Sequence, residues 1–318
     1  MKNALATLTL LTLPIVIAAV SPARADESSP QVWLISTRGL PHCGDLDESI
    51  RDACYWQLNA QCEWSPADAK SFHATDDAGV PTVLFLHGNR TRDESAAEKG
   101  MSVYRIIAAE ACGRAFRYVI WSWPAEAAAH PGIKDARLKI HYCHAEGYYL
   151  AGWLRELKAG LRVSLAGHSY GARIITDALD LLAGGEVGGR RLADARAEQW
   201  NGGQRDPVRA VLMAAAIDAD WLACHGDVLK LVDQMLVTRN CCDWLLKRYP
   251  RLERGCGPEA MGFVGPWLPD DGSKVAVVDL SGDFGRRHDM RFYSSALGTY
   301  CLWARYTFLD DLPTQPTP

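Results

Sequence analysis

The sequence predicts an α/β protein: a mostly parallel central sheet with helices on both faces and Cys-containing loop insertions. Three observations carry this. Strand-like and helix-like segments alternate from about residue 31 to about residue 310. Several of the strands are continuous apolar runs, the pattern of strands buried on both faces. No repeat or low-complexity segment interrupts the alternation, so one domain accounts for the chain between residues 26 and 312.

The elements follow in order. Lys2, an apolar run from Leu8 to Val20 and small residues up to Ala25 form a signal-peptide pattern, with cleavage expected after Ala25. The run is about 13 residues, short of the ~20 a spanning helix needs. Export to the periplasm or the medium is therefore expected, without a membrane span. Val32–Ser36 is the first strand, and residues 39–80 read as a loop-rich insertion. Pro81–Leu86 is a wholly apolar strand, Glu98–Cys112 a helix stopped by Gly113, and Phe116–Trp121 a strand. The spacing of Tyr142, Ala145, Tyr149, Trp153 and Leu157 predicts a helix over 135–158. Leu161–Ala166 is a strand, and Ala172–Ala183 a helix ended by Gly184 and Gly185. Residues 184–207 read as an exposed connection. A strand over 208–215, a helix over roughly 219–234, strands over 234–238 and 274–280, and a last helix from near Phe292 complete the pattern. The tail from Pro313 reads as frayed.

Composition narrows the function. Lys and Arg total 34 against 38 Asp and Glu, a net charge of −4, which offers no basic excess for nucleic acid. Ten cysteines in an exported chain suggest disulfides, although pairing is not readable from sequence. Cys43, Cys54 and Cys62 form one group, and Cys224, Cys241, Cys242 and Cys256 another. Cys112, Cys143 and Cys301 lie on apolar elements, as core thiols do. No C-x-x-C or H-E-x-x-H spacing supports a metal at Cys241–Cys242, and His141, Cys143 and His144 fall on a helical pattern. No metal or organic cofactor is implied.

The chemistry centres on Gly167-His168-Ser169-Tyr170-Gly171. An apolar strand enters this G-x-S-x-G and a helix leaves it, the context of a nucleophile elbow. Side chains at Gly167 or Gly171 would collide with the crossing backbone. The strand over 81–86 ends in His87-Gly88-Asn89, where a backbone N–H can face a carbonyl oxygen. The amides of Asn89 and Tyr170 are the expected oxyanion donors, and His87, ahead of the elbow, is expected to brace the loop beside the substrate pocket.

These residues, with Trp121-Ser122-Trp123-Pro124 and the continuation Ala172-Arg173, resemble the α/β-hydrolase superfamily. They resemble in particular an uncharacterised subgroup carrying S-W-P and H-S-x-G-A-R motifs. The resemblance implies the fold and a Ser, acid, His order, and leaves the substrate open. Of the histidines after the elbow, His288 lies beyond the last strand, where the superfamily places its base, and His225 reads as a helix end. Asp243, after the penultimate strand, is the expected acid. Asp218, after the strand before, is the alternative, and either could instead cap a helix. A disulfide through Cys241 or Cys242 would hold the acid loop. Trp121 and Trp123 are candidate linings of an acyl pocket, or core. The expected activity is serine hydrolysis of a small-molecule or lipid ester through an acyl-enzyme. The other reading is a catalytically silent homologue that binds ligands outside the cell. Oligomeric state is not readable.

Overall fold

The computed structural model describes residues 31–44, 46, 50–127, 132–193, 208–252, 257–268 and 272–312. The expected signal segment, the tail from Pro313 and most of the 184–207 connection lie outside the described residues.

Among the described residues, nine strands form one sheet in the order β3-β2-β1-β5-β4-β6-β7-β8-β9. β1 is Gln31–Ser36, β2 Cys54–Leu58, β3 Trp64–Ala67, β4 Thr82–Leu86, β5 Arg117–Ser122, β6 Val163–His168, β7 Val208–Met213, β8 Val232–Arg239 and β9 Val275–Asp279. The seven strands from β1 to β9 in spatial order are parallel, and the hairpin partner β2 runs against them. β4, β5, β6 and β7 are buried at every residue, as strands rich in apolar residues and covered on both faces are. This is an α/β architecture with a mostly parallel central sheet, as the sequence predicted.

The crossovers set where a site can form. Helix α1 is Ala69–His73, and α2 (Asp93–Ala111) carries the chain from β4 to β5, in one direction across the sheet. Helices α3 (Ile133–Glu156) and α4 (Tyr170–Leu182) carry it from β5 to β6 and from β6 to β7, in the other direction. Because such crossovers are right-handed, α2 falls on one face and α3 and α4 on the other. The chain therefore turns in opposite directions as it leaves β4 and β6, which makes the C-terminal edge between these adjacent strands the position where open α/β sheets bind ligands. Short helices α5 (Trp221–Cys224), α6 (Val228–Leu231), α7 (Met261–Val264) and α8 (Ser281–Phe284) precede α9 (Met290–Thr299) and α10 (Trp303–Tyr306), which pack on α2.

Three expectations are corrected. The 39–80 insertion contains the β2–β3 hairpin, whose Asn59 carboxamide oxygen accepts the amides of Gln61 and Glu63 at the turn. The helix expected over 219–234 is two single turns, broken at His225-Gly226-Asp227, and its last residues belong to β8. Among the cysteines expected as core thiols, only Cys143 is buried. Cys112 and Cys301 are exposed just past helix ends, in left-handed backbone at φ 50° and 52°. The nine described cysteines are free thiols, and Cys256 lies outside the described residues.

Candidate active site

Ser169 stands between β6 and α4 with φ 55° and ψ −114°, a strained conformation for a residue with a Cβ. The turn exists because its glycines let backbones touch. A Cβ on Gly167 would lie 2.5 Å from the Gly171 carbonyl carbon, and one on Gly171 would lie 2.3 Å from the Leu86 oxygen. Both clashes are with backbone, so neither position accepts even alanine without moving the sheet. The Ser169 amide donates to the Met213 carbonyl (2.8 Å), which anchors the elbow to β7.

His288, in the loop between α8 and α9, brings Nε2 to 3.0 Å from Ser169 Oγ. Its Nδ1 lies 2.7 Å from Asp243 Oδ2. Asp243 is fully buried, and each of its oxygens is used twice. Oδ1 accepts the amides of Leu245 (2.9 Å) and Leu246 (3.1 Å), and Oδ2 faces His288 and accepts the Tyr293 hydroxyl (2.8 Å). The same carboxylate thus caps the turn that follows it and faces the histidine. A carboxylate can only accept, so the His288 proton resides on Nδ1, and Nε2 is left to accept from the Ser169 hydroxyl. Burial, and then the neighbouring Asp243 charge, push the Tyr293 phenol well above its ordinary range, so it stays a donor.

Asp218 does not join this line. Its Oδ1 accepts the Tyr249 hydroxyl (2.7 Å), which in turn accepts from the buried Arg173 guanidinium. Arg173 also donates to the Ala216 carbonyl (3.1 Å), so the last residue of the H-S-x-G-A-R motif ties α4 to the loop after β7. Asp218 makes no side-chain cap either; Asp220 precedes α5. His225 pairs with Asp180 (3.0 Å) and stacks on Trp221.

The loop after β4 presses on the nucleophile. A Cβ on Gly88 would lie 3.2 Å from Ser169 Cβ and 2.8 Å from His168 Nδ1. The Gly88 carbonyl accepts both His87 Nδ1 (3.0 Å) and the Thr91 hydroxyl (2.9 Å). Lys99 donates to that hydroxyl oxygen (2.8 Å), and the Arg38 guanidinium donates to the Thr91 carbonyl (3.3 Å). A trans peptide is planar, so pinning the Gly88 C=O fixes the Asn89 N–H in the opposite direction. Tyr170 opens α4, and the N–H groups of a helix's first turn project from its N-terminal end.

His87 is fully buried, and burial depresses its pKa to about 3. It is neutral, with its proton on Nδ1 for Gly88 and its Nε2 facing the Trp123 amide (3.4 Å). It braces the loop and lines no accessible pocket. Trp121 and Trp123 are likewise fully buried, which corrects their reading as pocket walls. Trp121 donates to the buried Glu146 carboxylate (2.8 Å), and Trp123 stacks on His87 and donates to its carbonyl (2.8 Å). The S-W-P segment supports the loop from below. Thr91, Lys99, Asn240 and Tyr293 were not singled out from sequence, because nothing in their local pattern marks them, and His168 was read only as part of its motif, with no role of its own.

No protein-family model and no curated protein sequence matches this chain. Solved structures show a distant likeness. The catalytic core of acetyl xylan esterase from Trichoderma reesei is 11% identical over 74% of this chain and 100% of its own, with a TM-score of 0.37. TT1662 from Thermus thermophilus is 13% identical over 78% and 91%, with a TM-score of 0.39. An S-formylglutathione hydrolase from Agrobacterium tumefaciens is 15% identical over 82% and 93%, with a TM-score of 0.35. Likeness at this level says nothing of what the site acts on.

Proposed function

We propose that the protein is a serine hydrolase of carboxylic esters, exported after cleavage at Ala25. One observation carries the reading: Ser169 Oγ, His288 and Asp243 stand in one line, at 3.0 Å and 2.7 Å, on a strained elbow. In this reading Ser169 Oγ attacks the ester carbonyl while its proton passes to His288 Nε2. The Asn89 and Tyr170 amides receive the oxyanion; such a donor is worth about 3–4 kcal/mol in a dry site. Asp243 stabilises the imidazolium on Nδ1. His288 then gives the proton to the leaving alcohol, and the acyl group remains on Ser169. Water, deprotonated by the same imidazole, attacks the acyl-enzyme and releases the acid and Ser169.

No step calls for a metal or an organic cofactor. The substrate class is a small-molecule or lipid ester. The test is labelling with a fluorophosphonate probe beside turnover of an ester panel of varied acyl length. Wild type should label and turn over, and Ser169→Ala should do neither. A folded wild-type protein that neither labels nor hydrolyses any ester would favour the silent ligand-binding reading.

A further inference from the structure

Three segments at the C-terminal edge of the sheet surround the candidate site: the start of α3 after β5, the turn over 244–252 after β8, and the loop over 285–288 after β9. They touch one another. The Arg137 guanidinium donates to the carbonyls of Leu252 (2.7 Å) and Arg251 (3.1 Å), and the Trp244 amide donates to the Arg286 carbonyl (3.3 Å). They also touch the site: Tyr170 donates to the Ala136 carbonyl (3.1 Å), Trp244 follows Asp243, and Arg286 and Arg287 precede His288.

Two properties coincide on this rim. Ile133, Leu138, Trp244 and Leu245 are large apolar side chains left 41–47% exposed. Lys134, Arg137, Lys247, Arg248, Arg251, Arg286 and Arg287 are exposed cations. Within these three segments the one acid besides the buried Asp243 boundary is Asp135, itself buried. Asp289, next in the chain, is paired with Arg291 (2.7 Å). Arg248 lies over the Trp244 ring, 4.8 Å from its centroid, so charge and indole are presented together. In a chain of net charge −4, these three segments bring seven exposed cations and four exposed apolar side chains together beside the candidate site.

We infer that this rim docks the protein on an anionic lipid surface and presents the candidate site to esters held there. Apolar side chains alone would suit many partners, and cations alone would suit any polyanion. Exposed Trp and Leu interleaved with Lys and Arg suit an interface where the first enter the acyl boundary and the second meet headgroup phosphates. The inference deepens the esterase reading by naming where its substrate lies.

Docking is measured on Ser169→Ala protein, so that it does not depend on hydrolysis. The assay is sedimentation with vesicles of phosphatidylcholine alone or with a quarter phosphatidylglycerol, and with heparin-coated beads as the polyanion control. Binding should favour the anionic vesicles, weaken as salt rises, and shift the tryptophan emission to the blue. Lys247→Gln with Arg248→Gln should lower the partition coefficient by about 25-fold, at roughly 5-fold for each cation near such a surface. Trp244→Ala should lower it with the charges intact. Far-UV dichroism and thermal melts establish that the variants are folded. Equal binding to neutral and anionic vesicles, no vesicle binding, or binding to heparin in preference to vesicles would each overturn the inference. Esterase activity on soluble esters without docking would leave the hydrolase reading standing and remove this one; docking by a protein that never labels at Ser169 would do the reverse.

Discussion

Asp243→Asn, set against Asp218→Asn, tests the site most directly. In the wild type Asp243 Oδ2 faces the N–H of His288 Nδ1 at 2.7 Å. An asparagine can keep its oxygen on the Leu245 and Leu246 amides, so its NH₂ must turn toward His288 and Tyr293. A donor then meets a donor. The imidazole answers by moving its proton from Nδ1 to Nε2, where it confronts the Ser169 hydroxyl and can no longer accept from it. Precedent in a protease triad puts that tautomer loss at about 10⁴-fold in kcat, roughly 5 kcal/mol. Asp218→Asn leaves an oxygen for the Tyr249 hydroxyl and changes nothing at His288, so kcat should stay within a few-fold. Steady-state kinetics on one soluble ester, with thermal melts to establish folding, decides between them. If Asp243→Asn kept more than a tenth of wild-type kcat, or Asp218→Asn lost as much, the assignment of the acid would be wrong.

Three further outcomes follow from the same geometry. Thr91→Val removes one of the two donors on the Gly88 carbonyl and strands the half-buried Lys99 ammonium, so kcat should fall about 10-fold with KM little changed, read from initial rates. Gly171→Ala places a methyl 2.3 Å from the Leu86 oxygen, where no side chain can yield; the cost should reach about 3 kcal/mol, measured by urea unfolding, with activity lost in whatever folds. The native pKa of His87 is about 3, below its unfolded value of 6.5, so the unfolded chain binds the extra proton between those limits. Stability should therefore drop as pH falls through 6.5 toward 3, by about 2 kcal/mol at pH 5 from His87, and His168 adds in the same direction. Unfolding free energies at pH 7 and pH 5, compared with those of a His87→Gln protein, would show whether that slope shrinks.

Legibility tracked how local the causes were. The central strands were plain because double burial favours apolar runs such as Val83–Leu86. The β2–β3 hairpin was hidden because an edge pair needs no such run: Trp64–Ala67 is half-buried and contains Pro66, which an edge tolerates. His225-Gly226-Asp227 broke an expected helix whose apolar spacing looked continuous. Ser169 and its glycines were legible because the elbow is a steric solution within five residues. The acid was legible only as a preference for Asp243 over Asp218, since both follow strand ends, and only the fold shows that Tyr249 occupies Asp218 while Asp243 faces His288. Trp121 and Trp123 misled because alternation at a strand end says nothing of Glu146, 25 residues away, to which the Trp121 indole is bound.

The sequence also suggested a disulfide as the device holding the acid loop, and the structure uses other means. Asn240, two residues before Cys242, accepts the Cys242 amide on Oδ1 (3.0 Å) and donates from Nδ2 to the Gly285 carbonyl (2.9 Å) and the Tyr293 hydroxyl (3.2 Å). One carboxamide thus fastens the acid turn to the histidine loop and to the helix after it. The other end of that loop is held from the elbow: His168 Nε2 lies 3.0 Å from the His288 carbonyl. A carbonyl only accepts, so His168 must carry its proton on Nε2, and burial, then the His288 ring beside it, drive its pKa far down and keep it neutral. When His288 takes the proton from Ser169 it gains a positive charge 5.0 Å from the His168 ring, which makes His168 harder still to protonate. The bond that positions the base therefore does not change when the base does its work. Serine, acid and histidine are kept in register by side chains of the nucleophile and acid loops, both closing on the backbone of the histidine loop, with no bridge between sulfurs required.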